Sequence, residues 1–425
     1  MSSNVMSSRI PGFYNLSIDE RLKIIKEWAG LSDEEVALLR NFGNLDPKIA
    51  NSMIENVVGA ISYPFAVAVN FRINGKDYIV PMVTEEPSVV AAASNAARFM
   101  REGDGICANA DKQYMIAQIH IVKSLMPRYS AMEILKYKDT LIDVANATNN
   151  TLIKLGGGVK DIDVRVIETR RGPVIVVHLI VDVLDAMGAN TVNTMAEAVA
   201  SFLERITGGE ARLKIVSNYA IYRLARAWVR IPIQNIGLEI AEKIVDASAI
   251  AEVDVYRAVT HNKGIMNGII AVALATAQDH RAIEAGAHAY AARNGRYRPL
   301  SYWDLEGEYL VGTLELPLQV GTIGGAVKTH PIAQIALKIL KVTTARELAE
   351  VMAAVGLAQN FAALKALVTT GIQAGHMKLH ARNIAIMAGA KGELIDVVAE
   401  MMIREGRISY DYAKQILNQL QKSMQ

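Results

Sequence analysis

Five stretches of this chain gather side chains whose types and spacing could do chemistry. In Thr84-Glu85-Glu86-Pro87-Ser88 two adjacent carboxylates follow the apolar run 79–83, which puts at least one of them at the mouth of a buried strand. Pro87 is expected to open a helix, in the first-turn position that proline favours. The unpaired N–H groups of that helix start would hold Glu86 ionised. A general acid needs the opposite, a pKa raised by burial or by a bound group. An ordinary helix cap has the same appearance, and sequence leaves the two readings side by side.

Residues 256–268, YRAVTHNKGIMNG, hold Arg257, Lys263, a histidine and two asparagines, with no acid among them. Taken as a glycine-punctuated loop before an apolar helix, they suit an anionic substrate, arginine forking onto a carboxylate. A merely solvated loop has the same composition. Gln278-Asp279-His280-Arg281 begins a helix that carries Glu284 and His288 on one face, with Asp279 as its N-cap. His376 and His380 stand one helical turn apart, a geometry that holds zinc. Methionine follows His376 where a zinc protease needs its glutamate, and nothing nearby completes a ligand set. No metal is expected.

In residues 185–197, DAMGANTVNTMAE, Thr194 and Glu197 have the spacing of a capping box, so a helix is expected to start there. Just before it, Gly188 and the asparagines leave backbone N–H groups accessible at the positive end of that helix, which is how a pyrophosphate is held. A plain strand-to-helix loop shares this texture. No G-x-G-x-x-G follows a strand, which disfavours a Rossmann domain.

The elements that must position these residues suggest an α+β chain. Short helices are expected at 18–28, 33–42 (behind the cap candidate Ser32) and 48–54. A hairpin follows at 66–71 and 78–83 around Asn74-Gly75. From 111 to 216 the order is strand 114–122, helix 131–147, strands 161–167 and 174–182, a long helix ending at Gly208-Gly209, and strand 211–216. That β-α-β-β-α-β order is the ferredoxin-like split motif. The rest is rich in helix and alanine, with a strand pair at 309–315 and 318–321 and a glycine-flanked joint at 371–375. The expected division is a large helix-rich domain from 1–110 and 217–374, an inserted small domain at 111–216, and a C-terminal helical segment at 375–425.

Composition narrows the class. The chain has 425 residues, long enough for two or three domains, and 51% of them are hydrophobic. Forty-five basic residues nearly balance 43 acidic ones, and no basic stripe marks a nucleic-acid binder. The single cysteine, Cys107, cannot form an internal disulfide, which fits a reducing compartment. The start MSSNVMSSRIPGF is unlike a signal peptide, and apolar runs such as 269–277 fall short of the roughly 18–20 residues of a membrane span. A soluble cytoplasmic protein is expected, with no membrane or nucleic-acid partner.

The segments Glu55-Asn56-Val57-Val58-Gly59, TEEPSVVAAAS, THNKGIMNG, DAMGANTVNTM, GTIGGAVKTHP and GHMKLHARNIA resemble, in family order, signature blocks of the HMG-CoA (3-hydroxy-3-methylglutaryl-coenzyme A) reductases. The match runs across nearly the whole chain, and the DAMGANTVNTM wording is similar to the membrane-free class II. The resemblance implies an oxidoreductase interconverting HMG-CoA and mevalonate plus CoA by two hydride transfers with NADH or NADPH, through mevaldyl-CoA and mevaldehyde. It places the enzyme in the mevalonate (isoprenoid) pathway, in synthesis or in catabolism. It also implies a homodimer or an oligomer of dimers with the active site at the subunit interface. The large domain would bind CoA, the small domain the nicotinamide cofactor, and the C-terminal segment would act as a mobile flap.

By the same resemblance the catalytic residues are Glu86, Lys263, Asp279 and His376. Lys263 would meet the negative charge that grows on the carbonyl oxygen. Asp279 would hold Lys263 and link it to Glu86, which supplies a proton. His376 would protonate the CoA thiolate when the flap closes. Ser88, Arg257 and Asn267 would grip the HMG portion; Asp185, Met187, Gly188, Asn190, Thr191 and Asn193 would bind the cofactor. Asn149 matches a position where NAD-using relatives carry an acid for the ribose hydroxyls, and a neutral side chain there admits a 2′-phosphate. Phe13-Tyr14-Asn15-Leu16-Ser17 also resembles a family segment, but with Tyr14 where a basic residue would help hold the CoA phosphates. The competing expectation is a non-catalytic CoA or nucleotide binder, which would not require the four catalytic residues.

Overall fold

The computed structural model describes residues 7–42, 45–369 and 372–423, with 372–379 and 421–423 as backbone alone. Its strands are β1 (Phe65–Ile73), β2 (Lys76–Val83), β3 (Cys107–Ala110), β4 (Tyr114–Val122), β5 (Gly158–Thr169), β6 (Gly172–Asp182), β7 (Glu210–Ser217), β8 (Leu224–Pro232), β9 (Ser301–Glu306) and β10 (Tyr309–Pro317). β1 and β2 form the expected hairpin. Asn74 and Gly75 sit at φ 49° and 78°, the pair of positive values that lets a two-residue turn follow the twist of its strands.

The inserted unit is a four-stranded antiparallel sheet in the order β5-β6-β4-β7. This is the ferredoxin-like arrangement, its first and third strands central. One face is packed by the helices Pro127–Lys136, Lys138–Asn146 and Ala189–Thr207 over a core that includes Ile119, Val177, Val199 and Leu203. The helix expected at 131–147 is broken at Tyr137, and the long helix starts at Ala189, five residues ahead of Thr194. No capping box forms there: the Thr194 hydroxyl donates back to the Asn190 carbonyl, 3.0 Å away.

The larger core surrounds a second sheet, β3-β8-β10-β9. β10 pairs with β8 and β9 rather than with 318–321, which carries no strand and runs on as a strap. The helix Ala345–Val368 lies at the centre; it is long and apolar enough to cross a membrane, but two-thirds of its apolar window is buried. At the C-terminus the helices Ile372–Met387, Leu394–Arg404 and Tyr410–Ser423 enclose a small core of their own, including Val398, Met402 and Ile416. The glycine-flanked joint expected at 371–375 is not seen as such: the helix already begins at Ile372, and residue 371 lies outside the described residues.

The most consequential difference concerns residues 256–268. They are not a loop but part of the 21-residue helix Val255–Ala275. Gly268 serves packing instead of turning: a Cβ there would lie 3.0 Å from Gln359 Cβ and 3.3 Å from the Val355 carbonyl oxygen. Gly356 answers from the central helix, where a Cβ would come within 2.8 Å of Ile269 Cδ1. Sequence periodicity missed this because polar His261 and Asn262 face inward. His261 Nε2 lies 2.7 Å from Ser301 Oγ and 3.0 Å from Asn360 Nδ2, and Asn360 Oδ1 accepts from Trp303 Nε1 at 2.7 Å. Asn262 donates to the Arg298 carbonyl and accepts from the Leu300 N–H, each at 2.9 Å.

Two outcomes follow from this packing. Gly268→Val should lower unfolding stability by about 1–3 kcal/mol through overpacking, measured as a reduced urea midpoint; an unchanged midpoint means the helices separate freely. Burial, reinforced by Arg257, pushes the His261 imidazole down to about 3. The folded state thus refuses a proton that the unfolded chain takes up below about pH 6.5. Its contribution is complete above pH 6.5 and fades as pH falls from there toward 3, by at most about 1.4 kcal/mol per pH unit. Urea midpoints should therefore fall more steeply between pH 6.5 and 5 in wild type than in His261→Gln; parallel profiles contradict this.

Candidate active site

Two of the expected catalytic residues meet directly. Lys263 Nζ donates to Glu86 Oε2 at 2.8 Å, joining the helix Val255–Ala275 to the turn after β2. Lys263 is held by its buried predecessors His261 and Asn262. Glu86 is held by a tight turn, its N–H donating to Thr84 Oγ1 at 3.1 Å. Both side chains remain substantially open to solvent, at 59% and 39% exposure. An ion pair that exposed adds at most about 1 kcal/mol to folding. Stability alone does not account for holding it there.

Pro87 does not open the following helix as expected. That helix is Val89–Arg101, and its N-cap Ser88 sits at φ 72°, ψ −14° with no side-chain cap bond. A left-handed backbone costs a non-glycine residue about 1–2 kcal/mol, and the hydroxyl is left free of capping duty. Asn267 lies one turn beyond Lys263, on the same face of its helix. Arg257 is six residues before Lys263, about 120° around the helix, and its partial burial pushes the guanidinium pKa down.

Asp279 does not join this pair. It is the N-cap of the helix His280–Ala291, accepting from the Ala282 N–H at 3.1 Å, with Arg281 Nε 3.6 Å from its carboxylate. Lys263 and the helix end at Ala275 are twelve residues apart, about 18 Å along the axis at 1.5 Å per residue. Within one chain Asp279 follows that far end of the helix, and its ion pair is with Arg281 rather than Lys263. His376 falls on the helix Ile372–Met387, but its side chain lies outside the described residues. Among the described residues no cluster of three His, Cys, Asp or Glu suits a metal ion.

The loop 183–190 leads into the N-terminus of the 19-residue helix Ala189–Thr207. Gly188 caps it at φ 94° without a side-chain bond, and a Cβ there would lie 2.5 Å from Val183 Cγ1. No side chain caps this helix start, so the first N–H groups, at Ala189, Asn190 and Thr191, have no cap partner, and Asn190 is exposed. The other expected cofactor residues have structural duties. Asp185 accepts from the Ala345 N–H, the Met187 carbonyl from Arg223, and Asn193 Oδ1 from the Val216 N–H, at 2.8, 3.0 and 2.8 Å. Asn149 caps the helix Asn150–Lys154 through the Leu152 N–H at 3.0 Å. It precedes the glycine turn 156–158, which packs beside Asp182 at the same end of the sheet as the loop.

The same neighbourhood holds two residues to which sequence reasoning gave no role. Arg223 is fully buried, with bonds to Gln113, the Met187 carbonyl and the Val320 carbonyl. Gln278, next to Asp279, is bonded to both the N–H and the carbonyl of Gly321. No spacing rule marks either one.

Comparison with known proteins agrees along the whole length. The profile of the family described as Hydroxymethylglutaryl-coenzyme A reductase matches residues 17–381. The chain is 57% identical over 417 residues to 3-hydroxy-3-methylglutaryl-coenzyme A reductase of Archaeoglobus fulgidus, covering 98% of this chain and 95% of that protein. It is 35% identical to a probable reductase of the same name from Borreliella burgdorferi, covering 96% and 95%. Among solved structures, the Streptococcus pneumoniae reductase superimposes with a TM-score of 0.83 at 42% identity, covering 96% of this chain and 99% of that one. A class II structure from the same organism, bound to NADPH in open conformations, gives 0.82 at 43% identity, covering 84% and 99%.

Proposed function

This chain belongs to the hydroxymethylglutaryl-coenzyme A reductase family, and on that premise we propose that it interconverts HMG-CoA and mevalonate at a site shared by two copies. The observation that carries the shared site is the separation derived above: Glu86 and Lys263 pair at one end of a rigid helix, while Asp279 stands past the other. Lys263 and Asp279 work on one reacting oxygen only if they come from different copies. Exposed apolar side chains on the arm 54–61, among them Ile54, Val58 and Ile61, give a second copy something to cover.

Lys263 Nζ then faces the carbonyl oxygen and stabilises the charge that develops on it. Asp279 of the other copy holds the ammonium in place, and Glu86, already 2.8 Å from Lys263, delivers the proton that makes the alcohol. His376 is proposed to protonate the CoA thiolate as the C-terminal helices close. Ser88, with no capping bond to lose, and Asn267 and Arg257 flank the lysine and suit the hydroxyl and carboxylate of the substrate. The loop around Gly188 suits a dinucleotide: it leads into the N-terminus of a 19-residue helix whose cap makes no side-chain bond. The bound nicotinamide supplies hydride. Asn149, at the same end of the sheet, carries no charge to repel a 2′-phosphate, which favours NADPH.

Three measurements test this reading. Purified protein should oxidise two NADPH per HMG-CoA, read at 340 nm, and Lys263→Met should lower kcat about 10²–10³-fold; near-normal turnover by that variant refutes the role of the lysine. Mixing Lys263→Ala with Asp279→Asn protein should restore about a quarter of wild-type activity, since half of the dimers are mixed and each of these has one intact site. No recovery on mixing means that both residues serve one site from one chain. Asn149→Asp should raise the KM for NADPH about tenfold and leave that for NADH nearly unchanged; equal effects on both cofactors remove Asn149 from the ribose site.

A further inference from the structure

The GTIGG stretch has no task in the reaction outlined above, yet the segment 318–323 just ahead of the helix Gly325–Thr329 is bonded at every residue. The Leu318 N–H donates to the Arg223 carbonyl at 3.0 Å, and Gln319 Nε2 to the Ala282 carbonyl at 2.7 Å. The Val320 carbonyl accepts from Arg223 Nη2 at 2.6 Å. Gly321 is held on both sides by Gln278, its N–H donating to Oε1 at 2.8 Å and its carbonyl accepting from Nε2 at 2.9 Å. The N–H groups of Thr322 and Ile323 both reach the Asp185 carbonyl, at 2.9 and 3.3 Å.

Gly321 of this strap is thus fixed to the residue before Asp279, and the adjacent Thr322 and Ile323 to the loop 185–188. Contact between them is backbone on backbone: a Cβ on Gly321 would lie 2.5 Å from the Met187 nitrogen. Arg223 closes the circuit. Its Nη1 holds the Met187 carbonyl at 3.0 Å, while its other nitrogens hold the Val320 carbonyl and Gln113 Oε1. Gln113 leads into the first strand of the inserted sheet, where its carbonyl accepts from the Val183 N–H at 3.1 Å.

We propose that Arg223 and Gln278 are positioning residues that make the segment 318–323 a fixed spacer between Asp279 and the loop at Gly188. The spacing of these two sets how far the acid-bearing helix start stands from a dinucleotide on the loop. Both ends belong to one chain, so the spacer survives any movement of one copy against the other. The inference rests on the reading of 185–193 as the cofactor loop, and the experiment separates the two. NADPH is titrated by its own fluorescence without HMG-CoA, alongside steady-state kinetics, on full-length Arg223→Lys, Gln278→Met and Asn190→Asp proteins with circular dichroism as the check of folding.

Arg223→Lys keeps the charge but cannot span three acceptors. Gln278→Met keeps the size but frees Gly321. Each should weaken NADPH binding and raise its KM about five- to tenfold, with the KM for HMG-CoA within about twofold of wild type, because a displacement near 1 Å suffices for such losses. Gln278→Met should also lower kcat, since Asp279 follows it directly. Folded variants with wild-type NADPH binding overturn the spacer, as does an equal rise in both KM values, the mark of general loosening. If Arg223→Lys fails to fold, Gln278→Met alone decides by the same criteria. Unchanged NADPH binding in Asn190→Asp sinks the cofactor-loop reading itself; weakened binding there, with the other two unaffected, sinks only the spacer.

Discussion

A single unbroken helix, Val255–Ala275, is the constraint on which the arrangement depends. A loop of the same sequence could bring Lys263 toward Asp279; a helix packed along its length cannot. The close approach of Gly268 and Gly356 to the opposite helix removes the room in which it could bend, and the buried His261–Ser301–Asn360–Trp303 group fixes its rotation. Rotation decides which residues face out. With His261 and Asn262 turned inward, Lys263 is turned toward solvent and toward Glu86.

Stability and function are held in different places. The large core, the ferredoxin-like core and the C-terminal core are each apolar and continuous, and hydrophobic burial at roughly 25 cal/mol per Å² carries the fold. The Glu86–Lys263 pair is exposed and contributes little to that sum. Arg223 is the reverse case. Burial pushes its guanidinium down to about 9, with Asp182 and Asp185 opposing the shift, so at neutral pH a full charge stays inside. Such a group is tolerated because each nitrogen finds an acceptor; removing one partner of a buried charge costs about 3–5 kcal/mol. Its acceptors come from the small sheet, the loop at Met187 and the strap, so one side chain ties three distant stretches of sequence together.

Local signals in the sequence translated well into structure. Asn74-Gly75 made its hairpin, Ser32 made a capping box, and the strand–helix order 111–216 made a ferredoxin-like sheet. Each depends on residues a few positions apart, where backbone sterics and capping bonds act. The failures were non-local. Gly268 looked like a turn residue because glycine marks both turns and close packing, and only the facing helix distinguishes them. Thr194 had the spacing of a cap but lies inside a helix that Gly188 starts earlier. β8, a partner of β10, was missed because it lies some eighty residues earlier in the sequence, while β9 pairs with β10 across the short turn Gly307-Glu308.

By itself, then, the sequence determined the α+β class, the family and the residue types available for chemistry. These follow from short-range patterning and from motifs legible as strings. Only the tertiary structure decided that Glu86 and Lys263 touch, that Asp279 follows the far end of a helix running about 18 Å beyond Lys263, and that Arg223 and Gln278 brace the loop at Gly188. Distances between side chains remote in sequence arise from how whole elements pack. No spacing along the chain encodes them.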